Sequence, residues 1–264
     1  MQRKEYTDAN RVAWNQAGPQ HKSSTFDSLK QAFTDPAYSY LDAEESRILR
    51  EIGIEGKAVA QLCCNNGREL LSIKNMGAGR CAGFDISDEF IEQARELNRH
   101  AGHDCEFLAC DVYEIPETYD QQFDLVYITV GVIKLLPEMD GLLQVVARLL
   151  RPGGRLFVYE MHPILDMFDW NDTGDPPTII HSYFDLNPTG HTSVCNYWDM
   201  SDYESAPMYT FHHKLSDIIG AVLQHGLMLE SFEEYDFDRS NMYAAFEQHR
   251  LRLPLSYSMI ARKQ

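Results

Sequence analysis

The segment AQLCCNNGREL, residues 60–70, places two cysteines, two asparagines and a glycine between an apolar run and an amphipathic stretch. Adjacent cysteines suggest half of a metal site, a redox pair, or a nucleotide-binding loop. Zinc requires about four converging ligands, and vicinal cysteines do not easily bind one ion together. None of the six cysteines stands in a C-x-x-C pattern. We therefore interpret Cys63 and Cys64 as small side chains ending a buried strand, and expect no metal.

The other residues of this loop suit a backbone that folds tightly around a ligand. Asn65 and Gly67 tolerate positive φ angles better than most residues do. A dinucleotide site would require the pattern G-x-G-x-x-G, with phosphates at a helix N-terminus. Here the first two glycine positions are filled, and Glu69 places a negative charge in the first helical turn. The pattern favours a ligand with positive charge and no phosphate, such as S-adenosylmethionine.

Two acidic residues stand where the next strand-like segments end. Asp85 follows the run CAGF, and Asp111 follows CEFLAC. In a doubly wound sheet, ligands bind at the carboxyl ends of the strands, and a carboxylate after the second strand accepts hydrogen bonds from ribose hydroxyls. Either acid alone is also typical of a helix cap or a solvated turn. Their occurrence at successive strand ends favours ligand binding.

A histidine and a set of aromatic residues are candidates for the chemistry beyond cofactor binding. His162 directly follows the apolar run RLFVYEM and is a candidate general base, which Glu160 on the same strand face would orient. A structural histidine before a proline is the alternative. Candidates for the acceptor pocket are Tyr6, Trp14, Tyr183, Tyr197, Trp198 and His213. The alternative for the aromatic residues is the core of a lid.

Alternating strands and helices must position these residues. Apolar runs predict strands at 57–64, 81–86, 105–110, 123–130 and 155–161. Amphipathic stretches between most of these runs predict helices, and the alternation indicates a doubly wound, mostly parallel α/β sheet. Residues 1–40 are predicted to form an N-terminal helical arm or lid before a domain spanning 41–264. The stretch at about 162–211 breaks the alternation and is predicted to be an insertion after the fifth strand.

The composition restricts the partners of the chain. Its 264 residues include 23 lysines and arginines against 40 acidic residues, giving a formal net charge of -17. Such a field repels polyanions, so we expect neither nucleic acid nor an anionic membrane surface as the main partner. No apolar run approaches the roughly 20 residues that span a bilayer, and the N-terminus lacks the apolar region of a signal peptide. These features predict a cytoplasmic protein.

The order of four segments resembles that of class I S-adenosylmethionine-dependent methyltransferases. The segments are VAQLCCNNGREL, CAGFDISDEFIEQAREL, CDVYEIP and FDLVYITVGVIKLLPEMDGLLQVVARLLRPGGRLFVYE. The resemblance covers residues 45–162, and the C-terminal segments HHKLSDIIGAVLQHGLMLESFEEY and LPLSYSMIARKQ resemble the end of that fold. It implies a Rossmann-like, seven-stranded sheet whose last strand is antiparallel. The family's first motif, V-L-D-L-G-C-G-T-G, is altered at Gln61, Cys63, Asn65 and Asn66. The altered loop resembles the L-Q-C-H-F-G-type first motif of a largely uncharacterised bacterial subgroup.

The resemblance also implies the ligand, the reaction and the site residues. The methionine part of S-adenosylmethionine would lie along Cys63, Cys64, Asn65 and Gly67. Asp85 would bind the ribose, Ile86, Asp111 and Val112 the adenine, and Thr129 and Val130 would face the transferred methyl group. The expected reaction is in-line methyl transfer to a small-molecule acceptor, leaving S-adenosylhomocysteine. A catalytically weak or inactive cofactor-binding regulatory protein is the alternative, and an NAD-type oxidoreductase is less favoured. A homodimer is left open.

Overall fold

The computed structural model describes residues 1–196 and 201–264, and within them it contains six α-helices and nine strands. The helices are α1 (Arg3–Ala32), α2 (Ala43–Ile52), α3 (Arg68–Asn75), α4 (Asp88–His100), α5 (Met139–Leu149) and α6 (Leu215–Gln224). The strands are β1 (Val59–Leu62), β2 (Cys81–Asp85), β3 (Glu106–Ala109), β4 (Phe123–Ile128), β5 (Leu150–Met161), β6 (Thr189–Asn196), β7 (Ser201–Thr210), β8 (Leu227–Tyr235) and β9 (Ser256–Lys263).

Seven strands form one sheet in the order β3-β2-β1-β4-β5-β9-β8. Strands β1 to β5 pair in parallel, whereas β9 is antiparallel to both β5 and β8. The chain order reverses beside β1, which makes the carboxyl ends of β1 and β4 the crevice where ligands bind in such sheets. The predicted fold class is confirmed, including the antiparallel last strand.

Two apolar layers cover the sheet. One layer includes residues from α2, α3 and α4, and the other includes residues from α5 and α6. Helix α4 shows why these residues form such elements: Phe90, Ile91, Ala94 and Leu97 recur at helical spacing and are all buried. The Ser87 hydroxyl accepts a hydrogen bond from the Phe90 N–H and caps the helix. Capping at this residue begins α4 directly after the end of β2.

Helix α1 occupies most of the predicted N-terminal arm and crosses the start of α4. The Arg11 guanidinium binds the Asp88 carboxylate through both Nε and Nη2. The Ser87 hydroxyl donates to Asn15 Oδ1 at 2.7 Å. Asn10 donates to the Tyr209 carbonyl and accepts from the Tyr209 N–H, which joins α1 to β7. These bonds hold α1 above the β2–α4 junction, beside the expected ligand edge.

The predicted insertion contains a separate two-stranded sheet. Strands β6 and β7 pair antiparallel and do not join the main sheet. Tyr197 and Trp198, two of the residues predicted for the acceptor pocket, lie outside the described residues. In the described ranges, no helix combines the length and apolar character that crossing a bilayer would require.

We expect Gly83→Ala to destabilise the sheet. A β-carbon at this position would lie 2.8 Å from both the Cys64 sulfur and the Phe107 ring. Because the site is tightly packed, the free energy of unfolding should fall by about 1–3 kcal/mol. Gly220→Ala is the matched control, since its β-carbon would meet no heavy atom within 4 Å inside α6. It should stabilise the chain by about 0.5–1 kcal/mol. Urea unfolding followed by circular dichroism measures both, and equal effects of the two substitutions would contradict the packing argument.

Candidate cofactor and acceptor site

In the loop between β1 and α3, every second residue has a left-handed backbone conformation. Cys63, Asn65 and Gly67 have φ angles of 52°, 51° and 77°. Asparagine and glycine adopt this region at low cost, as the sequence indicates, whereas cysteine rarely does. The positive φ of Cys63 is a feature that sequence reasoning missed.

The backbone N–H groups of residues 64–67 in this loop are already satisfied within the protein. The Cys64 N–H donates to the Phe84 carbonyl, the Asn65 N–H to Asp85 Oδ2, the Asn66 N–H to Asn65 Oδ1, and the Gly67 N–H to the Cys64 carbonyl, all at 2.8–2.9 Å. A phosphate-binding loop instead turns its free N–H groups toward the anion. This turn is therefore poorly suited to a pyrophosphate.

Close packing against β3 holds the loop in place. A β-carbon on Gly67 would lie 2.7 Å from the Phe107 ring, and one on Gly83 would lie 2.8 Å from the Cys64 sulfur. The Cys64 side chain is fully buried among these groups. Of the two cysteines, Cys64 therefore lies in the core, and only its backbone borders the candidate site.

Carboxylates dominate the electrostatics on the open side of the loop. Burial raises the pKa of the Cys63 thiol well above its usual value, and the charges of Asp85, Asp111 and Glu160 raise it further. Cys63 is thus a protonated thiol beside three acidic groups. Their combined potential attracts a cation and repels a phosphate, which matches a sulfonium ligand.

Asp85 lies where the sequence places it, at the end of β2. Its carboxylate accepts hydrogen bonds from the Asn65 N–H at 2.8 Å and from the Ser87 N–H at 2.9 Å. Burial outweighs these bonds and raises the pKa of Asp85 to about 6. Two acceptor positions of the carboxylate are used in this way, which leaves lone pairs for a diol.

The predicted adenine and methyl residues lie at the ends of β2, β3 and β4. Asp111 is buried and accepts the Tyr113 N–H at 3.1 Å, while Val112 packs into the core. Ile86 is half-buried after β2. Val130 packs at the edge of the apolar cluster that includes Met161 and Leu165.

Three buried polar side chains at this edge have atoms without hydrogen-bond partners among the described residues. They are the Thr129 hydroxyl, directly after β4, the amide of Gln61 on β1, and Oδ1 of Asn66 in the loop after β1. Gln61 is fully buried and pairs in register with Tyr127 on β4. Orphaned polar groups in a protein interior indicate a missing partner. The zwitterionic end of S-adenosylmethionine carries matching donors and acceptors, so this set of residues fits that cofactor.

Glu69 does not carry the free negative charge that its place in the sequence suggests. The sequence suggests a free negative charge at the start of α3, whereas Glu69 is buried and accepts a hydrogen bond from Arg68 Nε at 2.9 Å. Its charge is therefore compensated. The satisfied N–H groups of residues 64–67 and the negative charges that act on Cys63 still disfavour a phosphate ligand.

Glu160 and His162 have different partners from those predicted. The Glu160 carboxylate is buried and accepts from the N–H groups of Gly131 and Ile133 at 2.6 and 3.0 Å. It holds the backbone of the loop after β4 and forms no hydrogen bond with His162. The His162 Nε2 instead lies 2.9 Å from Glu234 Oε1, and its Nδ1 accepts the Ile164 N–H at 3.1 Å. Both ring nitrogens are engaged, so a base role would require the Ile164 contact to break.

A cavity of about 30 Å³ lies at the carboxyl end of β5. Its polar walls are Lys134, Glu160, His162, Asp166, His213, Tyr243 and Tyr257. Because Glu160 also bonds the loop that follows Thr129 and Val130, this cavity adjoins the cofactor edge. Sequence reasoning missed Lys134, Asp166 and Tyr257. Tyr257 lies opposite Glu160 in the pairing of β5 with β9, which the sequence pattern does not reveal.

The predicted acceptor residues separate into different places. His213 lines the cavity, and the Tyr6 ring packs edge-on against Phe211, which also lines it. Trp14 instead packs against Phe90 of α4. Tyr183 accepts a hydrogen bond from the Leu215 N–H, at the start of α6. Among the described part of the chain, no group of three or more His, Cys, Asp or Glu side chains is arranged to hold a metal ion.

Comparison with known proteins agrees with this geometry. Residues 59–154 match the family described as methyltransferase domain. A fatty-acid O-methyltransferase of Mycolicibacterium smegmatis is 30% identical over 118 residues, covering 44% of this chain and 42% of the relative. A tRNA U34 carboxymethyltransferase of Nautilia profundicola is 31% identical over 107 residues, covering 40% and 35%. The matches therefore span less than half the length of these relatives.

Structural similarity extends over more of the chain. The crystal structure of an S-adenosylmethionine dependent methyltransferase from Mesorhizobium loti superposes with a TM-score of 0.57 at 19% identity. The superposition covers 84% of this chain and 98% of that one. Residues 59–154 are thus similar to a methyltransferase domain, and the chain shares its Rossmann-like fold with S-adenosylmethionine-dependent methyltransferases of known structure.

Proposed function

We propose that the chain transfers a methyl group from S-adenosylmethionine to a small-molecule acceptor. The observation that carries the proposal is the β1–α3 loop, in which the N–H groups of residues 64–67 are satisfied internally and the carboxylate of Asp85 binds the Asn65 N–H. Such a site suits a cationic ligand without phosphate. An NAD-type cofactor, with its pyrophosphate, suits it poorly.

The cofactor would lie along the carboxyl ends of β1, β2, β3 and β4. Cys63 and the backbone of Cys64, Asn65 and Gly67 would border its methionine part, with Gln61 and Thr129 supplying buried polar contacts. Asp85 would accept the ribose hydroxyls, and Ile86, Asp111 and Val112 would enclose the adenine. Val130 would border the methyl group. When bound, the cofactor supplies an electrophilic methyl, and the protein's task is to align the acceptor with it.

A small-molecule acceptor is supported by charge and by the adjoining cavity. A formal net charge of -17 opposes association with a polyanion. The cavity beside Glu160 mixes polar with apolar walls and has room for the reacting group of a small molecule. One relative is described as acting on tRNA and another on fatty acids. The absence of a nucleic-acid partner therefore stays a prediction.

Calorimetric titration tests cofactor binding directly. We expect S-adenosylmethionine and S-adenosylhomocysteine to bind and NAD not to bind. Asp85→Ala should weaken the affinity by about 10- to 100-fold, because hydrogen bonds to a charged group are lost. Asp27→Ala is the matched control, since the Asp27 side chain is 95% exposed on α1. The proposal fails if neither compound binds, and binding of NAD alone would replace it with an oxidoreductase.

The affinity should also fall in acid. The Asp85 carboxylate accepts ribose hydroxyls best when ionised, and its pKa of about 6 means that its protonated fraction grows as the pH falls below neutrality. Between pH 7.5 and pH 5 the dissociation constant should rise by about tenfold. In Asp85→Asn, which cannot titrate, this change should be absent. An equal pH response in both proteins would assign the effect to another group.

A further inference from the structure

Two histidines line the cavity at the end of β5, and their hydrogen bonds leave different nitrogens available. The Nδ1 lone pair of His162 is occupied by the Ile164 N–H. His213 Nε2 lies 2.7 Å from the Leu136 carbonyl oxygen. A carbonyl only accepts, so Nε2 of His213 carries the proton and Nδ1 keeps its lone pair. Within residues 1–196 and 201–264, no hydrogen bond engages that lone pair.

The surroundings of His213 keep its ring neutral. Burial lowers the pKa of the imidazole, and His212 lowers it further. The charges of Asp166 and Asp217, together with the bond to Leu136, oppose this shift without reversing it. At neutral pH the ring therefore holds one proton on Nε2 and offers Nδ1 as an acceptor.

Tyr257 supplies the complementary group. Its side chain is fully buried, lines the same cavity, and has a hydroxyl without a partner among the described residues. Burial raises the pKa of this phenol well above its usual value, so it stays protonated. A bound hydroxyl group both donates and accepts. It would satisfy the lone pair of His213 and the O–H of Tyr257 together.

A carboxylate would fit the cavity less well. Lys134 Nζ lies 3.3 Å from Asp166 Oδ1, so the charge of this ammonium is already balanced. The carboxylate of Glu160 on the same wall repels a second anion. With about 30 Å³ of space, the cavity has room for one small group such as a hydroxyl, and Phe211 and Ile218 add apolar walls beside it. These features favour a neutral hydroxyl as the reacting group.

We infer that the acceptor is a neutral alcohol or phenol and that His213 is the catalytic base that takes its proton. This inference rests on the proposed function. The acceptor oxygen forms a bond to the methyl carbon of S-adenosylmethionine, and the carbon–sulfur bond breaks with its electron pair passing to sulfur. The hydroxyl proton passes to Nδ1 of His213. Tyr257 is a positioning residue that donates a hydrogen bond to the acceptor oxygen.

Fluorine NMR with two small probes tests this assignment on the full chain. Trifluoroethanol presents a neutral hydroxyl, and trifluoroacetate presents a carboxylate on a similar skeleton. We expect trifluoroethanol to bind and trifluoroacetate not to bind. His213→Gln and Tyr257→Phe should each raise the dissociation constant of the alcohol by about five- to tenfold, as loss of one hydrogen bond predicts. His225→Gln is the control, because His225 pairs with Asp140 on α5 and does not line the cavity.

A nitrogen-15 spectrum of the histidine side chains reads the tautomer of His213 in the unaltered chain. The signal of His213, assigned from its loss in His213→Gln, should show a protonated Nε2 and an unprotonated Nδ1 at pH 7. Preference for trifluoroacetate, indifference of alcohol binding to His213, or a proton on Nδ1 would each overturn the inference. Calorimetry with S-adenosylmethionine judges the proposed function separately. A chain that binds the cofactor but not the alcohol loses only this inference.

Discussion

The hydrogen bond from the Asn65 N–H to the Asp85 carboxylate is the contact on which the candidate cofactor site depends. It joins the turn after β1 to the end of β2, and the same carboxylate accepts the Ser87 N–H at the start of α4. One side chain thereby fixes the left-handed turn and the helix start. Its charge also acts on the nearby Cys63 thiol and raises the pKa of that group. This position also buries the Asp85 carboxylate, and the burial raises its pKa.

Close packing against β3 also supports the loop after β1. The Phe107 ring fills the space above Gly67 and Gly83, and the Cys64 sulfur lies against the same surface. No larger residue fits at either glycine unless the Phe107 ring moves. The paired cysteines are explained by two different requirements. Cys64 fills a core position, whereas Cys63 adopts a positive φ and lies near the carboxylates.

The acceptor side of the site is built by strand topology. The antiparallel strand β9 enters beside β5 and sets Tyr257 opposite Glu160. Strand β8 pairs with the other edge of β9 and brings Glu234 to His162. Glu160, free of the histidine, clamps the backbone after β4 instead. The same few side chains thus connect the end of the cofactor edge to the cavity that would hold the acceptor.

Much of the candidate cofactor site can be predicted from the local sequence. The apolar runs determine the strands, Asn65 and Gly67 mark the turn, and Asp85 and Asp111 mark the strand ends, because periodicity and φ preference are properties of neighbouring residues. The roles of Glu69, His162 and His213 were decided only by the tertiary structure. Their charge and tautomer depend on Arg68 packing, on Glu234 and on the Leu136 carbonyl. Glu234 and Leu136 lie more than 70 residues from the histidines they contact, so sequence spacing carries no record of which nitrogen keeps its lone pair.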